Sequence, residues 1–437
     1  MKLADVFQQG LFAATILCDL PFSIIIRKFS SPSIRLYLHI LFGFTICWFL
    51  YHEYFLYVFA GCLLSYLLLY LPGALCLSSV GVPFLGLISI HYYKLKHAGT
   101  WSSDISGLIM FSFLRIWSLA FNVYDGKKIN QKKDIKRKQW RDAAITKVPS
   151  IVEYVAYLFS YNGLYSGPIL PFKDFIATCN LMSSSETVSQ DIRSALPPFI
   201  TSILVCGIYG IGVQLLPANL ILSDGFKAKN YLTRLITALV LSAVHTSRYI
   251  FAWVAAESGW RALGASHINE EYITSIILKT YYSSRKLSIL AIEWNRSIHF
   301  ILKEYLHVRL ISIGVPNFIA KICTFAMSAI WHGFYSGYYL FAAMETVMGV
   351  LDEFRLKWFS PLIESLFGPT FCFIFDVVWI QSLNYFTGAP WDLYWAECYW
   401  EFYKNMKFLP FFLLLGMISI GFLFGRKKKS APKEKKD

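Results

Sequence analysis

The residues best suited to chemistry in this chain are an asparagine and a histidine that lie 37 positions apart. Asn295 directly follows Trp294, and His332 lies within the string SAIWHGFYSGYYL. Both stretches are otherwise apolar enough to sit in lipid, where a polar or ionisable group is costly unless a partner satisfies it. Such residues are functional candidates by default, and two of them close in sequence suggest one site.

An imidazole at membrane depth can act as a general base. Burial disfavours its charged form, so a ring nitrogen stays available to accept a proton. The alternative is that His332 is a packing residue with satisfied hydrogen bonds. Its neighbours favour a site, because they are small or polar and would leave room beside the ring: Ser328, Gly333, Ser336, Gly337 and Tyr338. The predicted substrate contacts around the two candidates are Trp294, Trp331, Ser336 and Tyr338.

The amide of Asn295 has two possible roles. It can donate to an oxyanion that develops during acyl transfer, or it can orient the histidine. The sequence leaves both open.

Composition predicts that membrane helices position these residues. Of the 437 residues, 56% are hydrophobic, 18% aromatic and only 16% charged, which is far more apolar than a soluble protein. The apolar runs of about 17 to 25 residues are long enough to cross a hydrocarbon core of ~30 Å as helices. The nine cysteines show no spacing typical of disulfides or a metal site, so no metal is expected. An all-α polytopic membrane protein with a single domain over residues 1–437 is predicted.

Hydropathy and charge together predict about eleven spans. The expected spans lie near residues 10–26, 36–50, 54–71, 73–90, 105–122, 151–169, 198–217, 231–254, 318–342, 368–386 and 408–424. The positive-inside rule places the basic loop 127–147 and the basic tail 426–437 in the cytosol, so an even number of spans must separate them. The charged run near 288–306, which contains Asn295, is therefore expected to be a re-entrant or tilted helix, buried against protein.

Further polar residues within apolar runs are weaker candidates. They either line a cavity for substrate or form internal polar networks, and the sequence leaves both interpretations open. These residues are Arg115 and Asn122 on one helical face, His245 and Arg248 in the run 231–254, and Gln381, Asn384 and Tyr385 in the run 368–386. Arg248 could instead pair with Glu257.

The net charge of +14 gathers in the segments 127–147 and 426–437. They could attract a polyanionic substrate, such as the phosphates of coenzyme A, or anionic lipid headgroups; the alternative is that they only fix orientation. Nucleic acid binding is not expected, since no soluble domain remains to carry it. The C-terminal string KEKKD resembles the dilysine signals that return membrane proteins to the endoplasmic reticulum.

Two longer strings carry a family resemblance. WNRSIHFILKEYLHVRL and MSAIWHGFYSGYYLFAAMETVMG, in this order and spacing, resemble the two signature segments of the membrane-bound O-acyltransferase family. Three others are similar to its lysophospholipid acyltransferase branch: DISGLIMFSFLRIWSLAFNVYDG, YLFSYNGLYSGPILPFKDF and IQSLNYF. The resemblance places the family's catalytic histidine on His332 and its upstream asparagine on Asn295.

The resemblance also implies a fold and a reaction. Helices would enclose a tunnel, and a fatty acyl group would pass from acyl-CoA to the free hydroxyl of a lysophospholipid in the endoplasmic reticulum membrane. Acyl-CoA would be a co-substrate, with no bound cofactor.

Other functions remain as alternatives. The acceptor could be a sterol, a diacylglycerol or a protein serine. The sterol and diacylglycerol branches are expected to carry an FYxDWWN-type string where this chain has LSILAIEWN. A transporter would often show two related halves, and no internal repeat is visible. The sequence leaves the headgroup, the acyl chain and the oligomeric state open.

Overall fold

The computed structural model describes residues 3–97, 104–182 and 184–424, and throughout these residues the regular elements are helices, with no strand. The first helices are α1 (Leu3–Leu17), α2 (Asp19–Arg27), α3 (Pro32–Tyr51), α4 (Phe55–Leu68), α5 (Gly81–Lys96), α6 (Ser106–Asn130), α7 (Lys138–Ala143), α8 (Ile151–Leu158), α9 (Phe172–Asn180), α10 (Ser185–Leu215), α11 (Asp224–Lys227) and α12 (Tyr231–Ala262). The basic tail 426–437 lies outside the described residues.

The remaining helices are mostly shorter. They are α13 (Ser266–Ile273), α14 (Leu278–Tyr282), α15 (Leu287–Glu293), α16 (Arg296–Leu302), α17 (Val308–Ser312), α18 (Asn317–His332), α19 (Ser336–Trp358), α20 (Ser360–Phe367), α21 (Pro369–Leu393), α22 (Ala396–Asn405) and α23 (Leu409–Phe424). Three 3₁₀ helices cover His52–Tyr54, Gly73–Val80 and Ala218–Leu222, and a π-helical turn covers Lys303–His307.

Six helical stretches of the described residues are long and apolar enough to cross a membrane, by length and composition. They are Gly10–Arg27, Pro32–Leu68, Gly73–Lys96, Ser106–Asn130, Ser185–Leu222 and Tyr231–Ala262. A seventh is possible if α22 and α23, which meet at a bend of 60°, form one span. The multi-pass character is therefore confirmed, whereas the expected total of about eleven spans is not confirmed by this count.

The chain forms two compact units. Unit 1 comprises Met1–Gly212, Thr246–Ile276 and Asn295–Phe334, and unit 2 comprises Val213–His245, Ile277–Trp294 and Tyr335–Asp437. Asn295 and His332 both belong to unit 1. The single domain over residues 1–437 stays a prediction.

The predicted span 151–169 is not a continuous helix. A capping box between Ser150 and Glu153 begins α8, but the helix ends at Leu158. The chain then turns at Gly163 and Gly167, which have φ of 59° and 76°. Such left-handed backbone favours glycine, and the buried loop after Leu158 turns at these two positions. The helix thus ends nine residues before the Gly167-Pro168 pair near the end of the predicted span.

The predicted span 318–342 is also broken, and the break lies directly after His332. The backbone of Gly333 has φ 137° and ψ −168°, a conformation that essentially only glycine adopts. This residue ends α18 before α19 begins at Ser336. His332 is therefore the last residue of a helix rather than a residue in the middle of one.

Candidate active site

Asn295 lies at a break between two short helices, within the run that was expected to form a re-entrant or tilted helix. It has φ 53° and ψ 62°, the left-handed conformation in which asparagine is enriched among non-glycine residues. Its carbonyl oxygen accepts the first hydrogen bonds of α16, from the backbone N–H groups of Ile298 and His299 at 3.0 Å each. The hydroxyl of Ser297 donates to the side-chain oxygen of Asn295 at 3.3 Å. The half-buried amide is thus presented at the start of α16.

His332 ends α18 and is half-buried. The preceding residue, Trp331, anchors this end of the helix. The Trp331 indole N–H donates to the carbonyl oxygen of Met110 in α6 at 2.9 Å, and the indole packs edge-on against Phe111. Trp331 was predicted to contact substrate, but it is only 2% exposed and is held inside unit 1.

One apolar cluster of unit 1 holds the helices that carry both candidates. Trp331 from α18 packs in it with Phe111 from α6 and with three residues of α16: Ile298, Ile301 and Leu302. Gly167 fits against the same cluster, since a Cβ added there would lie 3.1 Å from Phe111 and 3.4 Å from the Ser297 hydroxyl. The structure therefore anchors the segments of Asn295 and His332 in one packed region.

His91 is a residue of this region that sequence reasoning missed. It lies in α5, is 2% exposed, and has Nε2 at 2.9 Å from the carbonyl oxygen of Trp331. Because a carbonyl only accepts, Nε2 of His91 carries the proton. This bond satisfies one of the carbonyls that a helix leaves unpaired at its C-terminus, one residue before His332. His91 follows the apolar run 73–90 by one position, so it looked like the polar end of a span.

We expect Gly333→Ala to lower the free energy of unfolding by about 1–3 kcal/mol, because alanine is strained in the backbone conformation that Gly333 adopts. It should also slow any reaction in which His332 acts as the base, since relief of the strain moves this residue. Thermal unfolding in detergent and initial rates measure the two effects. The control is Gly349→Ala in α19, where no atom lies within 4 Å of an added Cβ. Wild-type stability and rate in Gly333→Ala would contradict the assigned backbone role.

Comparison with known proteins decides the family. The model of the membrane-bound O-acyltransferase family matches residues 81–380, which contain both candidates. The chain belongs to this family. The enzyme is thus a membrane-bound acyltransferase, as the two signature strings predicted.

Several curated proteins are similar to this membrane-bound O-acyltransferase. Membrane-bound glycerophospholipid O-acyltransferase 2 of Rattus norvegicus is 25% identical over 370 residues, covering 77% of this chain and 70% of the relative. Lysophospholipid acyltransferase 6 of Drosophila melanogaster is 26% identical over 371 residues, covering 77% of this chain and 49% of the relative. The lysophospholipid acyltransferase of Saccharomyces cerevisiae is 22% identical over 316 residues, covering 65% and 51%.

Within unit 1 of this membrane-bound O-acyltransferase, the side chains of Arg115 and Asn122 form hydrogen bonds with other residues of the protein. The guanidinium of Arg115, 2% exposed, donates to the carbonyls of Leu158 and Gly163 at 2.6 and 3.2 Å. It therefore satisfies the backbone of the buried loop that follows α8. The side-chain oxygen of Asn122 accepts from the Tyr305 hydroxyl at 2.9 Å. These contacts favour the internal polar network, while a role in lining the substrate path stays a prediction.

The two polar candidates of α12, His245 and Arg248, belong to different compact units. In unit 2, Nε2 of His245 donates to the carbonyl of Leu216 at 3.1 Å. In unit 1, Arg248 donates to the Tyr249 hydroxyl at 2.8 Å, with its guanidinium 4.6 Å from that ring's centroid. Glu257, the alternative partner considered for Arg248, bonds to Arg261 at 2.9 Å.

Gly337 was expected to leave space beside His332, but it serves close packing within unit 2. A Cβ on Gly337 would lie only 2.0 Å from the carbonyl oxygen of Pro390 in α21, so the start of α19 lies directly against that backbone. The neighbouring Ser336 hydroxyl donates to the carbonyl of Tyr394 at 3.2 Å. Tyr338 packs edge-on against Trp391, with 4.9 Å between ring centroids.

Tyr281 of α14 brings together three of the predicted site residues of unit 2. Its ring lies 6.0 Å from that of Trp294, its carbonyl accepts from Gln381 at 2.9 Å, and its hydroxyl accepts from Asn384 at 3.2 Å. Sequence reasoning missed Tyr281, which is one of many tyrosines and stands in a run without a helical pattern. The buried hydroxyl of Tyr385, by contrast, has no hydrogen-bond partner among the described residues.

Proposed function

We propose that the protein transfers a fatty acyl chain from acyl-CoA to the free hydroxyl of a lysophospholipid. The observation that carries this proposal is the half-buried imidazole of His332 at the end of α18, anchored in the same cluster as the helix that Asn295 begins. Membership of the membrane-bound O-acyltransferase family and similarity to proteins named lysophospholipid acyltransferases support the choice of substrate.

The proposed mechanism is direct transfer without an acyl-enzyme. A ring nitrogen of His332 takes the proton of the acceptor hydroxyl as its oxygen attacks the thioester carbonyl. A carbon–oxygen bond forms, the carbon–sulfur bond breaks, and the imidazolium returns the proton to the departing sulfur of coenzyme A. General-base catalysis of this kind supplies about 10²- to 10⁴-fold, and alignment of the two substrates adds to it.

Asn295 has the chemistry to stabilise the oxyanion that forms during this attack. Its side-chain oxygen already accepts from Ser297, which leaves the NH₂ end to face a reacting carbonyl. A donor already oriented by its surroundings stabilises developing charge without having to reorganise. We therefore propose oxyanion stabilisation rather than orientation of His332.

The proposed location is the endoplasmic reticulum membrane, with the loop 127–147 and the tail 426–437 in the cytosol, where acyl-CoA is found. Part of the loop is held in place within unit 1, since the guanidinium of Arg137 donates to the carboxylate of Glu304 at 2.8 Å. The loop also contributes to a cavity of about 450 Å³ that is lined by three cations, Arg141, Lys147 and Lys173. Such a surface attracts an anionic donor such as acyl-CoA.

Purified protein in lipid nanodiscs, supplied with labelled acyl-CoA, tests the proposal. Lysophospholipids that differ in headgroup are offered beside a diacylglycerol and a sterol. We expect labelled diacyl phospholipid as the product. Label transferred only to the diacylglycerol or the sterol would overturn the proposed acceptor.

A further inference from the structure

Glu345 is a carboxyl group that the proposed mechanism does not use. It lies in α19, is only 7% exposed, and accepts a hydrogen bond from the Thr387 hydroxyl of α21 at 2.7 Å. Across the described ranges 3–97, 104–182 and 184–424, it takes part in no ion pair. A neutral hydroxyl does not balance the charge of a buried carboxylate.

Two other buried acids of unit 2 are neutralised by arginine. Asp352 pairs with Arg355 at 2.7 Å, and Asp376, which is fully buried, pairs with both Arg355 and Arg285. The same unit therefore supplies cations to these two structural carboxylates. Glu345 departs from this pattern, and an unpaired ionisable group inside a membrane protein indicates a functional site whose partner comes from outside.

Aromatic rings lie in the same part of unit 2 as this carboxyl group. Glu345 is close enough to Tyr281 for the two side chains to interact electrostatically. The Tyr281 ring in turn lies 5.1 Å from the ring of Tyr282 and 6.0 Å from that of Trp294. A carboxylate together with tyrosine and tryptophan rings is a combination that binds an ammonium group, through charge pairing and cation–π attraction.

A single face of α21 connects these groups. Asn384 donates to the Tyr281 hydroxyl, and Thr387, three residues later, donates to Glu345. Residues three apart on a helix are neighbours on its surface, so α21 holds the tyrosine and the carboxyl side by side. Trp294, at the edge of this group, is joined by a peptide bond to Asn295.

We propose that Glu345, Tyr281 and Trp294 bind the ammonium group of the acceptor's headgroup. The preferred acceptors are then lysophospholipids with an ethanolamine or choline headgroup. This inference rests on the proposed function and adds the class of headgroup. Lysophospholipids with inositol or glycerol headgroups lack the positive charge and gain nothing from the carboxylate.

Glu345→Gln tests the inference, because glutamine keeps the size and the hydrogen bond to Thr387 but removes the charge. We expect KM for lysophosphatidylethanolamine and lysophosphatidylcholine to rise about tenfold, which corresponds to ~1.4 kcal/mol of lost binding. KM for lysophosphatidylglycerol, KM for acyl-CoA and kcat should stay as in the wild type. Glu345→Asp should recover part of the preference. The matched control is Glu353→Gln, the same change at an exposed position of α19, which should alter none of these constants.

The outcomes separate this inference from the proposed function. An equal loss for all headgroups, or no loss, would overturn the ammonium site while leaving lysophospholipid acylation intact. If Glu345→Gln does not fold, the wild-type KM values decide, and equal values for charged and neutral headgroups overturn the inference. Only a wild-type enzyme that acylates none of the lysophospholipids counts against the proposed function itself.

Discussion

Replacement of His332 with alanine is expected to lower kcat for acyl transfer by about 10²- to 10⁴-fold, the contribution of a positioned general base. The imidazole is the group proposed to take the proton of the acceptor hydroxyl, and alanine provides no substitute. Because His332 is the last residue of α18 and half-buried, the loss of its ring should leave the cluster around Trp331 in place. Single-turnover rates in nanodiscs, with binding of acyl-CoA measured separately, distinguish a chemical defect from a binding defect.

A second histidine provides the control for this prediction. His97 is exposed at the end of α5, where its Nδ1 lies 3.0 Å from the carbonyl oxygen of Tyr93. His97→Ala should retain the wild-type rate. If His332→Ala keeps full activity with normal thermal stability, the general-base mechanism is wrong.

Substitution of Asn295 is expected to separate two roles that this residue combines. Its left-handed backbone links the helices α15 and α16, and its amide is proposed to stabilise the oxyanion. Asn295→Gly accepts the same backbone conformation but has no amide. We expect this variant to fold normally and to lose about 10²- to 10³-fold in kcat, as when one oxyanion donor is removed. Asn295→Asp, which keeps the shape but lacks the NH₂ donor, should be similarly slow.

Asn295→Ala completes the series. Alanine lacks the amide and also disfavours left-handed backbone by about 1–2 kcal/mol. The variant should therefore be as slow as Asn295→Gly and in addition less stable, which thermal unfolding in the same detergent measures. A wild-type rate in Asn295→Gly would show that the residue acts through the turn alone.

The breaks in the chain show how far sequence reasoning reaches. The break at Asn295 was predictable, because charges on both sides of it made a full span too costly. The breaks after Leu158 and His332 were not predicted, since the surrounding residues are apolar enough for continuous helices. The break after His332 depends on Gly333 adopting positive φ, and the loop that follows Leu158 turns at Gly163 in the same way. Whether a glycine uses that freedom is decided by its surroundings.

The residues around the site were harder to predict from the sequence than Asn295 and His332 themselves. His91 contacts the carbonyl of a residue 240 positions away, and Tyr281 meets Asn384 from 103 positions away. Neither pairing leaves a local pattern. Glu345 lies within one of the two signature strings but was not predicted as a site residue, because a single acid in a helix is informative only once its neighbours are known.

The sequence by itself determined that the protein is a helical membrane protein, that it resembles the membrane-bound O-acyltransferase family, and that Asn295 and His332 are its main candidates. These conclusions depend on hydropathy, charge and motif spacing, which are properties of the chain read locally. Only the tertiary structure decided that His332 ends a helix and that His91 holds the preceding carbonyl. It also decided that Glu345 and Tyr281 bond to residues three apart on α21, with no ion pair to Glu345 among the described residues. The reason is physical: the cost of burying a polar group can be read from its type, whereas the partner that meets this cost is selected by packing between segments distant in sequence.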